Sequence, residues 1–191
     1  MAGWAVFLGL TPWGIWQHRG GPGDGASRMN VAVISDTHLP RGSRSLPDAC
    51  VARLRVADVI LHGGDLLSVA FLEQLRSYGP PVHAVQGNAD EAALKELLPR
   101  ELVVPAGRVQ IGMVHNGGPA AGRPERLAAR FPGCAAVIYG HSHVPEVVRA
   151  GETWILNPGS PTERRRAPER TMLELVIDGA QLAPKLISLG T

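Results

Sequence analysis

The sequence has little cysteine, few aromatics and almost no excess of either charge. Cys50 and Cys134 are its only cysteines, and neither belongs to a CxxC pair. That argues against thiolate chemistry and leaves two buried free thiols in a reducing, cytoplasmic setting as the expectation. Nineteen Lys and Arg face seventeen Asp and Glu, a net charge of +2. This is too mild to argue for a nucleic-acid partner. No apolar run reaches the ~20 residues of a membrane span. The longest early one, Trp4–Leu10, also fails as a secretory leader. No basic residue precedes it and no small-x-small site closes it. Repeats and coiled-coil heptads are absent as well.

What is present suits one globular domain. The chain has 191 residues, 45% of them hydrophobic and 19% charged. A domain of this size hides roughly 70% of its unfolded surface, enough for a core without staples. The 23 glycines and 16 prolines point to many turns.

The first 28 residues differ from the rest. They hold Trp4, Trp13 and Trp16, three of the four tryptophans, and end in the Gly/Pro-rich stretch GGPGDGASR. At Met29 the text changes to NVAVISDTH, a strand followed by a polar turn. The expectation is an extension over 1–28, disordered or outside the native domain, and a globular domain over 29–191.

Beyond Met29, strand and helix patterns alternate. Short apolar runs predict strands over Val31–Ser35, Asp58–His62, Val82–Gln86, Val109–His115 and Ala135–Tyr139. Helical patterns lie between them at Leu46–Arg55, Val69–Ser77, Glu91–Leu97 and Pro124–Arg130. The last third predicts a β-rich meander with strands at Thr153–Leu156, Thr171–Ile177 and Leu182–Ser188.

The ends of these strands carry the chemistry. In open α/β sheets, sites collect at the carboxyl ends of strands. Here those ends read SDTH, HGGD, GNAD, VHNGG, GHSH and NPGS. They supply Asp36, His38, Asp65, Asn88, Asp90, His115, His141 and His143. All are oxygen or imidazole donors, a set that suits Mn²⁺, Fe, Zn²⁺ or Ni²⁺. In extended backbone, residues i and i+2 share a face. Asp36 and His38 are therefore expected to grip one ion together, and His141 and His143 to point the same way. Gly64, Gly87 and Gly140 are expected to permit sharp turns and close approach. Any one piece is commonplace; the ordered series is not.

That series, DTH, GGD, GNAD, His115 and GHSH, resembles the calcineurin-like metallophosphoesterase superfamily, in particular its small single-domain bacterial and archaeal phosphodiesterases. The resemblance covers Met29 to Leu189. It implies an α/β fold, a sandwich of two β-sheets flanked by helices, with a two-metal site at the C-terminal ends of strands. It implies that Asp36, His38, Asp65 and His143 hold one divalent metal. Asp65 would bridge to a second, completed by Asn88, His115 and His141. Asp65, Asn88 and His115 are the catalytic candidates. The implied reaction is phosphodiester hydrolysis by in-line attack of a metal-bridging hydroxide, with Mn²⁺ the first choice of ion. Two metals about 3.5–4 Å apart lower a water pKa from 15.7 to roughly 7.

Two positions depart from the pattern. Many relatives carry a histidine straight after the asparagine of GN, where this chain has Ala89. Many also read HGH where this chain reads His115-Asn116-Gly117. Further candidates for supporting or substrate-contacting roles are Asp90, Asn116, Asn157 and Arg164. Asp90 is read as an outer support or helix cap. Asn157 and Ser160 are read as shaping the NPGS turn. Arg164 opens the run Arg164-Arg165-Arg166, which reads as a solvated loop or, if an arginine lies near the metals, as a phosphate clamp. His62 is read as a ligand-orienting or packed histidine, His83 as structural, and His18 as carrying no signal.

The expected partner is a small phosphate ester, with no membrane and a homo-oligomer possible. Nucleic acid is a disfavoured alternative. A phosphomonoesterase or nuclease could use the same residues. A non-catalytic scaffold of the same fold is the reading from a different class, although every implied ligand is present.

Overall fold

The computed structural model describes residues 28–191. The expectation for the first 28 residues therefore lies, Arg28 apart, outside the described residues. In chain order the elements are β1 (Met29–Ile34), α1 (Asp48–Val56), β2 (Val59–His62), α2 (Val69–Arg76), β3 (Val82–Ala84), α3 (Ala92–Leu97) and β4 (Glu101–Ala106). Next come β5 (Val109–Val114), α4 (Arg123–Arg130), β6 (Ala136–Ile138), β7 (Glu146–Ala150), β8 (Thr153–Asn157), β9 (Thr171–Asp178) and β10 (Gln181–Ser188).

They build two five-stranded sheets, ordered β10-β9-β1-β2-β3 and β4-β5-β6-β8-β7. In the first, β1, β2 and β3 run parallel, while β9 and β10 are antiparallel. In the second, β5, β6 and β8 run parallel, and β4 and β7 close the edges antiparallel. Parallel strands buried on both faces need continuous apolar text. β2, Val-Ile-Leu-His, is buried at every position.

One core lies between the sheets. Val31, Val33, Leu61, Ile111, Met113, Ile138, Leu156, Leu173 and Leu175 fill it. A second lies between the first sheet and α1–α3, around Ile34, Leu54, Ile60, Leu72, Leu75 and Leu94. A third packs α4 on the second sheet through Leu127, Phe131, Val137 and Ile155. The layers are thus helix, sheet, sheet, helix, as the resemblance implied. Local signals agree with this order. Ser68 caps α2 by accepting the Phe71 N–H at 3.2 Å, and the helix buries Phe71, Leu72 and Leu75. Asp178 pairs with Gln181 across a two-residue turn, with Gly179 left-handed, which fixes the register of the β9–β10 hairpin.

Two strands were invisible to the pattern, β4 and β7. Both are edge strands, and β4 contains Pro105, which an edge tolerates because one side of its ladder is unpaired. The expected C-terminal meander also divides. β8 runs parallel to β6 in one sheet, whereas β9 and β10 complete the other. Cys50 and Cys134 are buried and free, and burial pushes the Cys50 thiol up to about 12. Among the described residues no helix is long and apolar enough to cross a membrane.

Packing of this kind sets a stability prediction. Leu61 is 0% exposed in the inter-sheet core. Leu61→Ala should lower unfolding free energy by about 2–5 kcal/mol in urea titration. Val56, 80% exposed, should tolerate the same change within about 0.5 kcal/mol. Equal losses at the two positions would contradict the assignment of the core.

Candidate metal centre

The carboxyl ends of the parallel strands in both sheets meet at one edge of the sandwich. The turn after β1 brings Asp36 and His38, the turn after β2 brings Asp65, and the loop after β3 brings Asn88. From the second sheet, His115 lies just beyond β5, and His141 and His143 just beyond β6. Except for Asn88 and His141 these side chains are buried.

Two donor clusters result. In the first, His143 Nε2 lies 3.3 Å from Asp36 Oδ1 and 3.2 Å from His38 Nε2. In the second, Asn88 Oδ1 lies 3.1 Å from His115 Nε2 and 2.8 Å from His141 Nδ1. Asp65 stands between them. Its Oδ2 is 3.5 Å from His38 Nε2 and 3.4 Å from His115 Nε2. Ligand atoms of Asp36, His38 and His143 fall within 4.8 Å of one another, as do those of Asp36, Asp65 and His115. Asp36 therefore also reaches toward both clusters.

Donors about 2.0–2.2 Å from one cation sit about 2.8–3.6 Å apart at ordinary coordination angles. The observed separations fall in that range. They bring electron-rich donor atoms together, an arrangement that a cation between them would satisfy. No hydrogen bond into the two carboxylates comes from lysine or arginine among the described residues. The donor set and its spacing fit divalent metal.

Neighbours fix the orientation of each donor. His115 Nδ1 donates to the Gly63 carbonyl at 2.8 Å, and His143 Nδ1 donates to the Glu163 carbonyl at 2.5 Å. Both rings are thereby left with Nε2 lone pairs facing inward. Burial disfavours ionisation of Asp65, but His115 and the Ala89 N–H (2.7 Å to Oδ1) outweigh it and hold the carboxyl down at about 2. Asp36 is likewise lowered. Burial opposes this, but His143, His115 and the Ser35 hydroxyl (2.6 Å to Oδ2) prevail. Burial lowers His38 and His141, while the two carboxylates raise His115 against its own burial.

The backbone corrects one expectation. Asp36, His38, Asp65, His141 and His143 all have positive φ, between 47° and 70°. The i, i+2 spacing therefore does not arise from extended strand. Alternate left-handed residues coil the turns, a conformation rare outside glycine and concentrated at sites. The coil also separates His141 from His143, which face different clusters. Gly87 and Gly140 serve by lacking a side chain. A Cβ on Gly87 would lie 2.0 Å from Asp65 Oδ1, and one on Gly140 would lie 2.0 Å from Ser35 Oγ.

Other candidates take supporting places or leave the site. Asp90 does not cap α3, whose N-cap is Glu91. Its carboxylate instead accepts the Leu67 N–H at 2.9 Å and the Gly87 N–H at 2.6 Å, tying the loop after β3 to the one after β2. Asn157 braces the GHSH turn through the Gly140 carbonyl (3.0 Å) and Ser142 Oγ (3.1 Å). Ser160 donates to the Asp36 carbonyl at 2.7 Å. Asn116 is exposed and only accepts its own loop's Gly118 N–H, at 2.8 Å. Arg164 turns away and donates to the Pro168 carbonyl at 2.8 Å. His62 is buried, held down at about 3 by burial, and lies 3.0 Å from Thr37 Oγ1 between the two donors of that turn. His83 lies partly buried in β3, with its pKa lowered by burial. The sequence reading missed Ser35, Thr162 (2.6 Å to the Thr37 carbonyl) and the carbonyls of Gly63 and Glu163. A main-chain carbonyl leaves no residue-type signal.

Comparison with known proteins identifies the family. The family model described as calcineurin-like phosphoesterase superfamily domain matches residues 29–179. A protein of Methanothermobacter thermautotrophicus named "Probable metallophosphoesterase" is 34% identical over 164 residues, covering 85% of this chain and 94% of that one. A second so named, from Methanocaldococcus jannaschii, is 34% identical over 163 residues, covering 83% and 81%. Among solved structures, a Thermotoga maritima protein matches with TM-score 0.66 and 29% identity over 84% of this chain and 99% of its own. Vacuolar protein sorting 29 of Cryptosporidium parvum matches with TM-score 0.70 and 21% identity over 86% and 99%, a likeness of fold. The chain belongs to the calcineurin-like phosphoesterase superfamily, a family of metal-dependent phosphoesterases.

Proposed function

We propose that the protein is a phosphodiesterase working with two divalent cations, Mn²⁺ first among the ions its donors suit. Asp36, His38, Asp65 and His143 would hold one. Asp65, Asn88, His115 and His141 would hold the other. The observation that carries the reading is Asp65 Oδ2, poised 3.5 Å from His38 Nε2 and 3.4 Å from His115 Nε2. Two cations side by side need a shared anion, and this oxygen faces both sets of donors. When bound, such a pair supplies Lewis acidity toward water and phosphoryl oxygens.

The chain's own groups do the rest. Ser35, Thr37 and Ser160 are buried, and each hydroxyl is engaged in a hydrogen bond. Each is committed to the scaffold of the turns, and water is the attacking species in this reading. Asp36 and Asp65 stay anionic at neutral pH because their carboxyls lie below the ordinary range. Asn88 and His141, the exposed members, mark the side from which the ester enters. Ala89 offers no proton there, so esters with good leaving groups are the favoured substrates. A scaffold role, suggested by the likeness to vacuolar protein sorting 29, is the alternative that turnover would exclude.

The test starts from metal-stripped protein. Adding Mn²⁺ should restore hydrolysis of bis(p-nitrophenyl) phosphate. Asp65→Ala should lower kcat/KM by about a thousandfold or more, the several kcal/mol that Lewis-acid stabilisation supplies. A folded, metal-loaded wild type without turnover would sink the reading. Gly87→Ala gives an independent check by calorimetry. The added Cβ displaces Asp65, so Mn²⁺ affinity should fall about 10–100-fold. Unchanged affinity would remove Asp65 from the centre.

A further inference from the structure

We propose that Arg165 is a phosphate anchor, whose guanidinium holds non-reacting oxygens of the ester at the exposed side of the centre. The proposal rests on the phosphoesterase reading and names a residue outside the metal-donor set.

The anchor sits on a loop fastened to the site. After β8, Ser160 Oγ donates to the Asp36 carbonyl at 2.7 Å and Thr162 Oγ1 to the Thr37 carbonyl at 2.6 Å. The Glu163 carbonyl accepts His143 Nδ1, and the Glu163 carboxylate pairs with Arg44 at 3.1 Å. These bonds grip the turn after β1 and the turn after β6. A loop so held has little freedom to wander, and the centre itself positions the residues just beyond Glu163.

The chain then enters the run Arg164-Arg165-Arg166, and Arg165 takes φ of 47°. A long side chain in the left-handed region is uncommon and is retained where surroundings enforce it. The twist parts the neighbouring arginines. Arg164 folds onto its own loop at Pro168. Arg165 swings back over the GHSH turn, with Nη1 3.5 Å from the His141 carbonyl. That contact is long, and it engages only one of five N–H donors. The side chain is exposed, as is His141, whose ring meets the exposed Asn88.

Two other basic groups near this edge are committed: Arg44 to Glu163, Lys95 to the Asn88 carbonyl at 2.9 Å. A planar guanidinium can grip two phosphate oxygens at once, which an ammonium cannot. The ligand class is therefore a phosphate mono- or diester anion whose phosphorus lies at the metals and whose free oxygens face Arg165.

The experiment compares wild type, Arg165→Ala, Arg165→Lys and Arg166→Ala after Mn²⁺ reconstitution. Inorganic phosphate binding is measured by calorimetry, and bis(p-nitrophenyl) phosphate hydrolysis by kcat and KM. Arg165→Ala should weaken phosphate binding about tenfold or more and raise KM similarly, with kcat changed less than about threefold. Arg165→Lys should recover part of the loss, and Arg166→Ala should match wild type. Phosphate binding that ignores Arg165, or that falls equally in Arg166→Ala, overturns the anchor. Arg165-dependent phosphate binding without any turnover would uphold the anchor while removing the hydrolytic reading.

Discussion

Two buried carboxylates that receive no lysine or arginine hydrogen bond among the described residues are the constraint on which this structure turns. Asp36 and Asp65 are at most 1% exposed, and imidazole lone pairs crowd round them. Burying uncompensated negative charge is costly. The protein meets that cost locally, with a serine hydroxyl and the His141 N–H on Asp36 and the Ala89 N–H on Asp65. Together with His143 and His115, and against burial, they hold both carboxyls below the usual range, and the remaining attraction would be available to a divalent cation. The architecture answers the same demand. Parallel strands stop at this edge, so their polar ends gather where the apolar cores cease.

The turns are shaped by crowding rather than by strand geometry. Left-handed residues at 36, 38, 65, 141 and 143 fold short polar stretches into tight coils. Glycines at 87 and 140 remove the Cβ atoms that would strike Asp65 and Ser35. A network outside the donors then locks the coils. Asp90 spans two loops, Asn157 braces a third, and two carbonyls set the histidine tautomers. The donors are thus preorganised before any ion arrives.

Much of this was legible because it is written in side-chain types. Asp36, His38, Asp65, Asn88, His115, His141 and His143 announce themselves as donors at strand ends, and the structure gathers them at one edge. Buried strands announce themselves as apolar runs. What escaped has physical reasons. β4 and β7 lie at sheet edges, where half-exposure dilutes the pattern. The pairing of Asp36 with His38 was anticipated, but from the wrong backbone, since φ does not show in residue type. The choice between Arg164 and Arg165 depended on a single left-handed residue.

Each donor cluster draws on both sheets. Asp36 and His38 come from one and His143 from the other; Asp65 and Asn88 face His115 and His141 across the same seam. Neither sheet alone can assemble either cluster. A cation bound here acts as a clasp across the layers, and only the finished sandwich can close it. Metal loading would thus favour the finished fold. Half-formed chains compete poorly for the ion, and the mature fold is the state that mass action rewards.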